Sequence, residues 1–95
     1  MIILLDDVTA VAPVIMHLRP YPANSAPSYD VTITNGTATV KLYQGNEAHL
    51  PKDVGDADAS AIYTEAGVCN YVGAAVTEIS AGAVVRVTIA DNWRF

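Results

Sequence analysis

The chain has 95 residues, 52% of them hydrophobic and 16% charged, with ten Asp/Glu against five Lys/Arg and a formal net charge of −5. That is the size of one domain, and the apolar content is too high and the charge too low for a disordered segment. No basic stripe exists that would displace counterions from a nucleic acid or hold a membrane surface, so neither is an expected partner.

Met1 to Leu5 is an apolar run too short to span a membrane and without a positive region before it, so synthesis in the cytoplasm is expected. Residues 1–7 read as an N-terminal arm that either pairs within its own sheet or augments a neighbour's. Val8 to Val11 and Val14 to Leu18 each read as a strand, with Pro13 separating them or placing one at an edge. His17 to Pro27 holds Pro20, Pro22 and Pro27 and reads as a stiff, extended connector.

Residues 29–34 alternate, Tyr29, Val31 and Ile33 on one face and Asp30, Thr32 and Thr34 on the other. Residues 38–43 do the same, Ala38, Val40 and Leu42 against Thr39, Lys41 and Tyr43. The Asn35-Gly36 pair between them is a strong hairpin signal, because a type I′ turn needs positive φ at both central positions. The Asn35-Gly36-Thr37 triplet also fits a glycosylation pattern, which the turn accounts for by itself. Gly45 to Ala59 reads as a long loop carrying Glu47, His49, Lys52, Asp53, Asp56 and Asp58, of a length that is usually disordered or functional.

Residues 60–64 form a weaker strand. In the next segment Val72, Ala74 and Val76 alternate with Gly73, Ala75 and Thr77, and Ile79 closes the strand. Ser80-Ala81-Gly82 reads as the loop of a second hairpin, leading to a strand with Ala83, Val85, Val87 and Ile89 inward. The whole predicts a single all-β domain over residues 1–95, an antiparallel β-sandwich or a small jelly-roll-like barrel of about seven or eight short strands with no substantial helix. Residues 91–95 form a C-terminal tail.

Chemistry is sparsely signalled. An EF-hand loop begun at Asp53 would need a glutamate where Thr64 stands, and one begun at Asp56 meets Gly67, leaving only a loose trio of Asp56, Asp58 and Ser60. His17, His49 and the single Cys69 are too few and too scattered for a zinc site, and Cys69 reads as a small buried hydrophobe. No nucleophile elbow or phosphate loop is present, so no enzyme activity, metal or cofactor is expected. A single cysteine also excludes an internal disulfide, so the fold relies on its core or on association.

The residue types that anchor interfaces stand out more. Exposed tail aromatics beside an arginine, Trp93, Arg94 and Phe95, join Tyr43 on an outward strand face and the arm Met1, Ile2, Ile3, Leu4 and Leu5 as the candidate interface set. Fifteen charged side chains are few for a small monomer, which points to surface covered by other chains.

Three stretches carry a family resemblance: Leu18-Arg19-Pro20-Tyr21-Pro22, the strand-rich Val31 to Tyr43 containing Gly36-Thr37-Ala38-Thr39-Val40, and the closing run from Tyr71 to Ile89. Together they resemble small β-sandwich structural proteins of tailed bacteriophages, used for capsid decoration, head fibres or tail accessories. Gly73 departs from the arginine common in that pattern, and the middle loop lacks its usual tryptophan. The resemblance implies a virion protein without catalytic residues, homo-oligomeric and attached to a major capsid or tail protein. The alternative is a carbohydrate- or receptor-binding module on the same architecture, with Tyr43, Tyr63 and Trp93 as its aromatic platform.

Overall fold

The computed structural model describes residues 2–18, 28–47, 49–64 and 70–90. They form eight strands: β1 (Ile2–Val8), β2 (His17–Leu18), β3 (Ser28–Thr34), β4 (Ala38–Gly45), β5 (Lys52–Ala57), β6 (Ala61–Thr64), β7 (Tyr71–Ile79) and β8 (Val84–Ala90). Two antiparallel four-stranded sheets result, in the orders β1-β8-β3-β6 and β2-β7-β4-β5, and no helix occurs among the described residues.

The pairs β1·β8, β2·β7, β3·β6 and β4·β5 are those of one long hairpin folded at the β4–β5 turn. Rolling that ribbon lays β3 against β8 and β4 against β7, which are the two remaining pairings. An eight-stranded ribbon wound this way is a jelly roll. Every connection changes sheet except β4 to β5, where the Leu50 amide donates to the Glu47 carbonyl at 3.2 Å.

Alternation along the strands supplies both inner faces. Tyr29, Val31, Val85, Val87 and Ile89 from one sheet meet Val40, Leu42, Val72, Ala74 and Val76 from the other, all at 1% exposure or less. Each Val, Leu or Ile so buried contributes roughly 1.5–3 kcal/mol relative to an exposed one. The Tyr29 hydroxyl crosses the core to donate to the Tyr43 carbonyl at 3.0 Å, so the largest inward side chain also ties the sheets. Beyond the aliphatic strip, Gln44 is buried too, its amide nitrogen without a hydrogen-bond partner among the described residues.

Both predicted hairpins are corrected by this topology. β3 and β4 lie in different sheets, as do β7 and β8, so Asn35-Gly36 and Ser80-Ala81-Gly82 are arches that carry the chain across the core. Asn35 has the left-handed φ of 60° that the pair predicts, but Gly36 sits at 154°. A type I′ turn would keep the flanking strands in one ladder. Because β3 pairs with β8 and β4 with β7, the two arches lie side by side and clasp. The Ser80 amide donates to the Thr37 carbonyl (2.8 Å), and the Thr37 amide donates to Ser80 Oγ (2.9 Å).

Three further expectations are revised, and the arm takes one of its two stated alternatives. Within the segment read as a loop over residues 45–59, Lys52–Ala57 is strand β5; its charges reflect an edge position. Val8 to Val11 does not form a strand of its own, and of Val14 to Leu18 only His17–Leu18 pairs in a sheet. The arm pairs within its own sheet as β1, with register shifts between Ile3 and Leu5 and between Leu5 and Val8. Most of the proline connector and all of the tail lie outside the described residues.

The clasp predicts a measurable cost. A Cβ at Gly36 would run into Ser80 Oγ and approach Ala83 Cβ to 2.9 Å, at a φ that side chains disfavour. Gly36→Ala is expected to lower unfolding free energy by roughly 1–3 kcal/mol, and Ser80→Ala by about 1 kcal/mol, both read from urea denaturation. A Gly36→Ala protein as stable as the parent would contradict the arch geometry.

Candidate functional site

The candidate site is an interaction surface on the outer face of the β2-β7-β4-β5 sheet. Directly paired residues of an antiparallel ladder point to the same face. The outward rows therefore run Leu18–Tyr71–Gly45, then Gly73–Tyr43–Asp53, then Ala75–Lys41–Asp56. Tyr43 and Tyr71 are diagonal neighbours across this face, and both are half-buried. Diagonal partners stand about 7–8 Å apart, within reach of aromatic rings.

Two glycines leave gaps in the side-chain layer, and two chain segments lie down in them. Residues 12–16 run along β7, anchored where Ala12 and Val76 exchange amide-to-carbonyl bonds of 3.1 and 3.0 Å. This strap crosses Gly73 so closely that a Cβ there would stand 2.8 Å from Met16 Sδ, 2.9 Å from the Ile15 carbonyl and 2.9 Å from Val14 Cγ2. The turn after β4 covers Gly45 in the same manner, with the Leu50 carbonyl 2.9 Å and Met16 Cε 3.5 Å from the position of a Cβ. Strap, β2 and turn present apolar side chains to solvent: Ile15, Leu18 and Leu50 are 65%, 62% and 54% exposed. Gly73 is thus required by the strap.

Beside the patch is a small ion cluster. Lys41 Nζ lies 3.1 Å from Asp53 Oδ2 and 3.1 Å from Asp56 Oδ1. Hydrogen bonding to Asp56 and then to Asp53 raises the lysine above its ordinary value of 10.5. The stabilisation this gives is fully present below that value and is lost as the pH rises through the folded-state one. The cluster leaves two carboxylates balanced by one ammonium at the rim, a polar border to an apolar centre.

Of the residues singled out from sequence, Tyr43 lies in the patch, whereas Leu4 and Leu5 are only 7% exposed and belong to the core. Ile3, 42% exposed, is on the edge strand of the other sheet. Ile2 pairs through its backbone with Ile89. Met1, Trp93, Arg94, Phe95 and Cys69 lie outside the described residues, as does the side chain of Ile2. Tyr63 cannot share a platform with Tyr43. It is in the opposite sheet, in register with buried Tyr29, and its hydroxyl donates to the Ala59 carbonyl at 3.0 Å.

The loose calcium trio is dispersed. Asp56 is held by Lys41, Ser60 Oγ bonds the Ile33 amide at 2.8 Å and its carbonyl at 3.2 Å, and Asp58 borders a groove of about 430 Å³ with Thr37, Thr39, Glu78 and Ser80. Among the described residues no group of three His, Cys, Asp or Glu side chains is placed to hold a metal ion. No helix of the described chain is long and apolar enough to cross a membrane.

Leu18 and Leu50 escape a sequence reading because each stands alone beside polar or proline residues, and Ile15 because it sits in an apolar run, Val14 to Met16, that reads as part of a strand. The available signal is the pair of glycines at outward positions of otherwise regular strands, which marks close backbone approach. No protein-family model, curated protein or solved structure matches this chain.

Gly73→Ala tests the strap. Its Cβ meets a backbone carbonyl that cannot rotate away, so a loss of roughly 1–3 kcal/mol in unfolding free energy is expected. Amide exchange at Ala12 and Val76 should rise with it. An unchanged exchange rate at Ala12 would show that the strap does not rest on Gly73.

Proposed function

We propose that the chain is a structural protein of a tailed-bacteriophage particle, a capsid-decoration or head- or tail-accessory protein. It works by associating with copies of itself and attaching to the major capsid or tail protein. The observation that carries this reading is the apolar patch of Ile15, Leu18 and Leu50 flanking Tyr43 and Tyr71, on a chain with few charges to keep copies apart. The resemblance of the Tyr71 to Ile89 run to phage structural proteins points the same way. The jelly roll is an architecture that viral capsid domains use, although lectins and cupins use it too, so the fold alone would not choose among them.

Attachment on this reading is burial without chemistry. A specific complex removes roughly 1,200–2,000 Å² from water, and a few central anchors carry most of the energy. Tyr43 and Tyr71 supply rigid, half-buried aromatic area at the centre. The backbone at Ile15 and Leu50 is seated against the sheet at the two glycine gaps, so little backbone freedom remains to be lost there on binding. Lys41, Asp53 and Asp56 set orientation at the rim.

The test is made on phage particles purified from cells that produce this chain. Mass spectrometry is expected to find the chain in the particle at a fixed copy ratio to the major capsid or tail protein. Particles lacking it should bind the purified protein and lose that binding on Leu18→Asp, with the variant's far-ultraviolet circular dichroism unchanged. Purified particles that never contain the chain would sink the reading.

A further inference from the structure

The two sheets have four edges, and three of them are blocked against pairing with another chain. β1 slips register twice against β8, has Asp7 at a left-handed φ of 51°, and carries Asp6 and Asp7. β2 is two residues long, and Pro13 interrupts the strap that leads into it. β5 is bulged where Leu42 and Tyr43 face Gly55 and Asp53, and it carries Lys52, Asp53 and Asp56. Short length, charge, proline and bulges are the usual means by which proteins keep strand edges from pairing.

The fourth edge, β6, differs from these. Ala61-Ile62-Tyr63-Thr64 contains no charge and no proline, and its four pairs with β3 run without a register shift. Ile62, at 69%, is the most exposed large hydrophobic side chain among the described residues. From this contrast we infer that β6 is a pairing edge, and that its occupant is β6 of a second copy of this chain, added antiparallel across a two-fold axis. The inference deepens the self-association proposed above and rests on that reading.

A second copy fits for three reasons. An antiparallel strand edge is self-complementary in its amides and carbonyls, so a two-fold axis satisfies both copies with one geometry. Centring the axis at Ile62 sets Ile62 against its counterpart on the outer face. On the inner face it sets the half-buried ring of Tyr63 against the small, exposed Ala61 of the other copy. Charge permits the approach at this edge. The nearest carboxylate in the same row is Asp30, one strand inward, so the two Asp30 side chains would stand three strand spacings apart, about 14 Å. That exceeds the screening length of about 8 Å at physiological ionic strength.

Four residues of paired strand bury less than the roughly 1,200 Å² of a stable complex. The dimer is therefore weak in dilute solution and is strengthened when copies are concentrated side by side on a surface.

Light scattering and sedimentation equilibrium on the full chain, from about 10 μM to about 1 mM, test this. The expected result is a monomer–dimer equilibrium in which amide exchange at residues 61–63 slows as concentration rises. Ile62→Lys should weaken dimerisation by at least about tenfold, with the unfolding midpoint unchanged, while Leu18→Asp should leave it intact. Should Ile62→Lys perturb folding, the concentration dependence of exchange in the unmodified protein decides alone. A monomer throughout, or a dimer that Leu18→Asp abolishes and Ile62→Lys spares, would overturn the inference. Particle binding is read separately through Leu18→Asp, so its failure would not be mistaken for failure of the β6 edge.

Discussion

The fold depends on the chain changing sheets at nearly every connection while keeping its apolar side chains on one continuous inner surface. At the Asn35 and Ser80 arches this happens within a few residues, and the two arches hold each other through Ser80 and Thr37. Had either segment closed as a hairpin, its strands would lie in one ladder, and their inward faces would be side by side instead of opposed. Tyr29 would then have no facing sheet to receive its hydroxyl, and the aliphatic strip from Val31 to Val87 would have half its partners. The clasp is small in energy, but it fixes which strands become neighbours.

For β3, β4, β7 and β8 strand existence and facing were legible in the sequence; strand partnership was not. The alternation of Tyr29, Val31 and Ile33 with polar neighbours, and of Ala38, Val40 and Leu42 with theirs, identifies inward faces correctly, because period-two burial reads the same whichever strand lies alongside. Asn35-Gly36 correctly signals a reversal with positive φ at Asn35. What it does not encode is whether the flanking strands hydrogen-bond to each other or face across a core. That choice is made by β8 and β7, whose paired residues lie 26 to 62 positions away in sequence. Lys52 to Ala57 was hidden for a different reason: an edge strand protected by charge has the composition of a loop.

The candidate surface divides in the same way. Tyr43 was visible as an outward aromatic on a regular strand. Leu4 and Leu5 looked like interface residues, but the bulges of β1 turn both toward the core. Ile15, Leu18 and Leu50 became visible only once Gly73 and Gly45 were seen as places where backbone lies on backbone. A glycine in a strand is usually read as a weakness, and here two of them seat the segments that carry the exposed apolar side chains. Both the patch and the β6 edge follow from the rolled topology, since in a flat meander β6 would not border β3 and the strap would have no outer sheet face to cross.

The most direct test of this account is a set of backbone proton–proton nuclear Overhauser effects in isotopically labelled protein. The arches predict cross-strand contacts between Thr32 and Arg86 and between Lys41 and Ala75, with none between the backbones of Thr32 and Thr39. Strong Thr32–Thr39 contacts in place of Thr32–Arg86 would mean that Asn35-Gly36 closes a hairpin, and the rolled sandwich, with the surfaces derived from it, would be wrong.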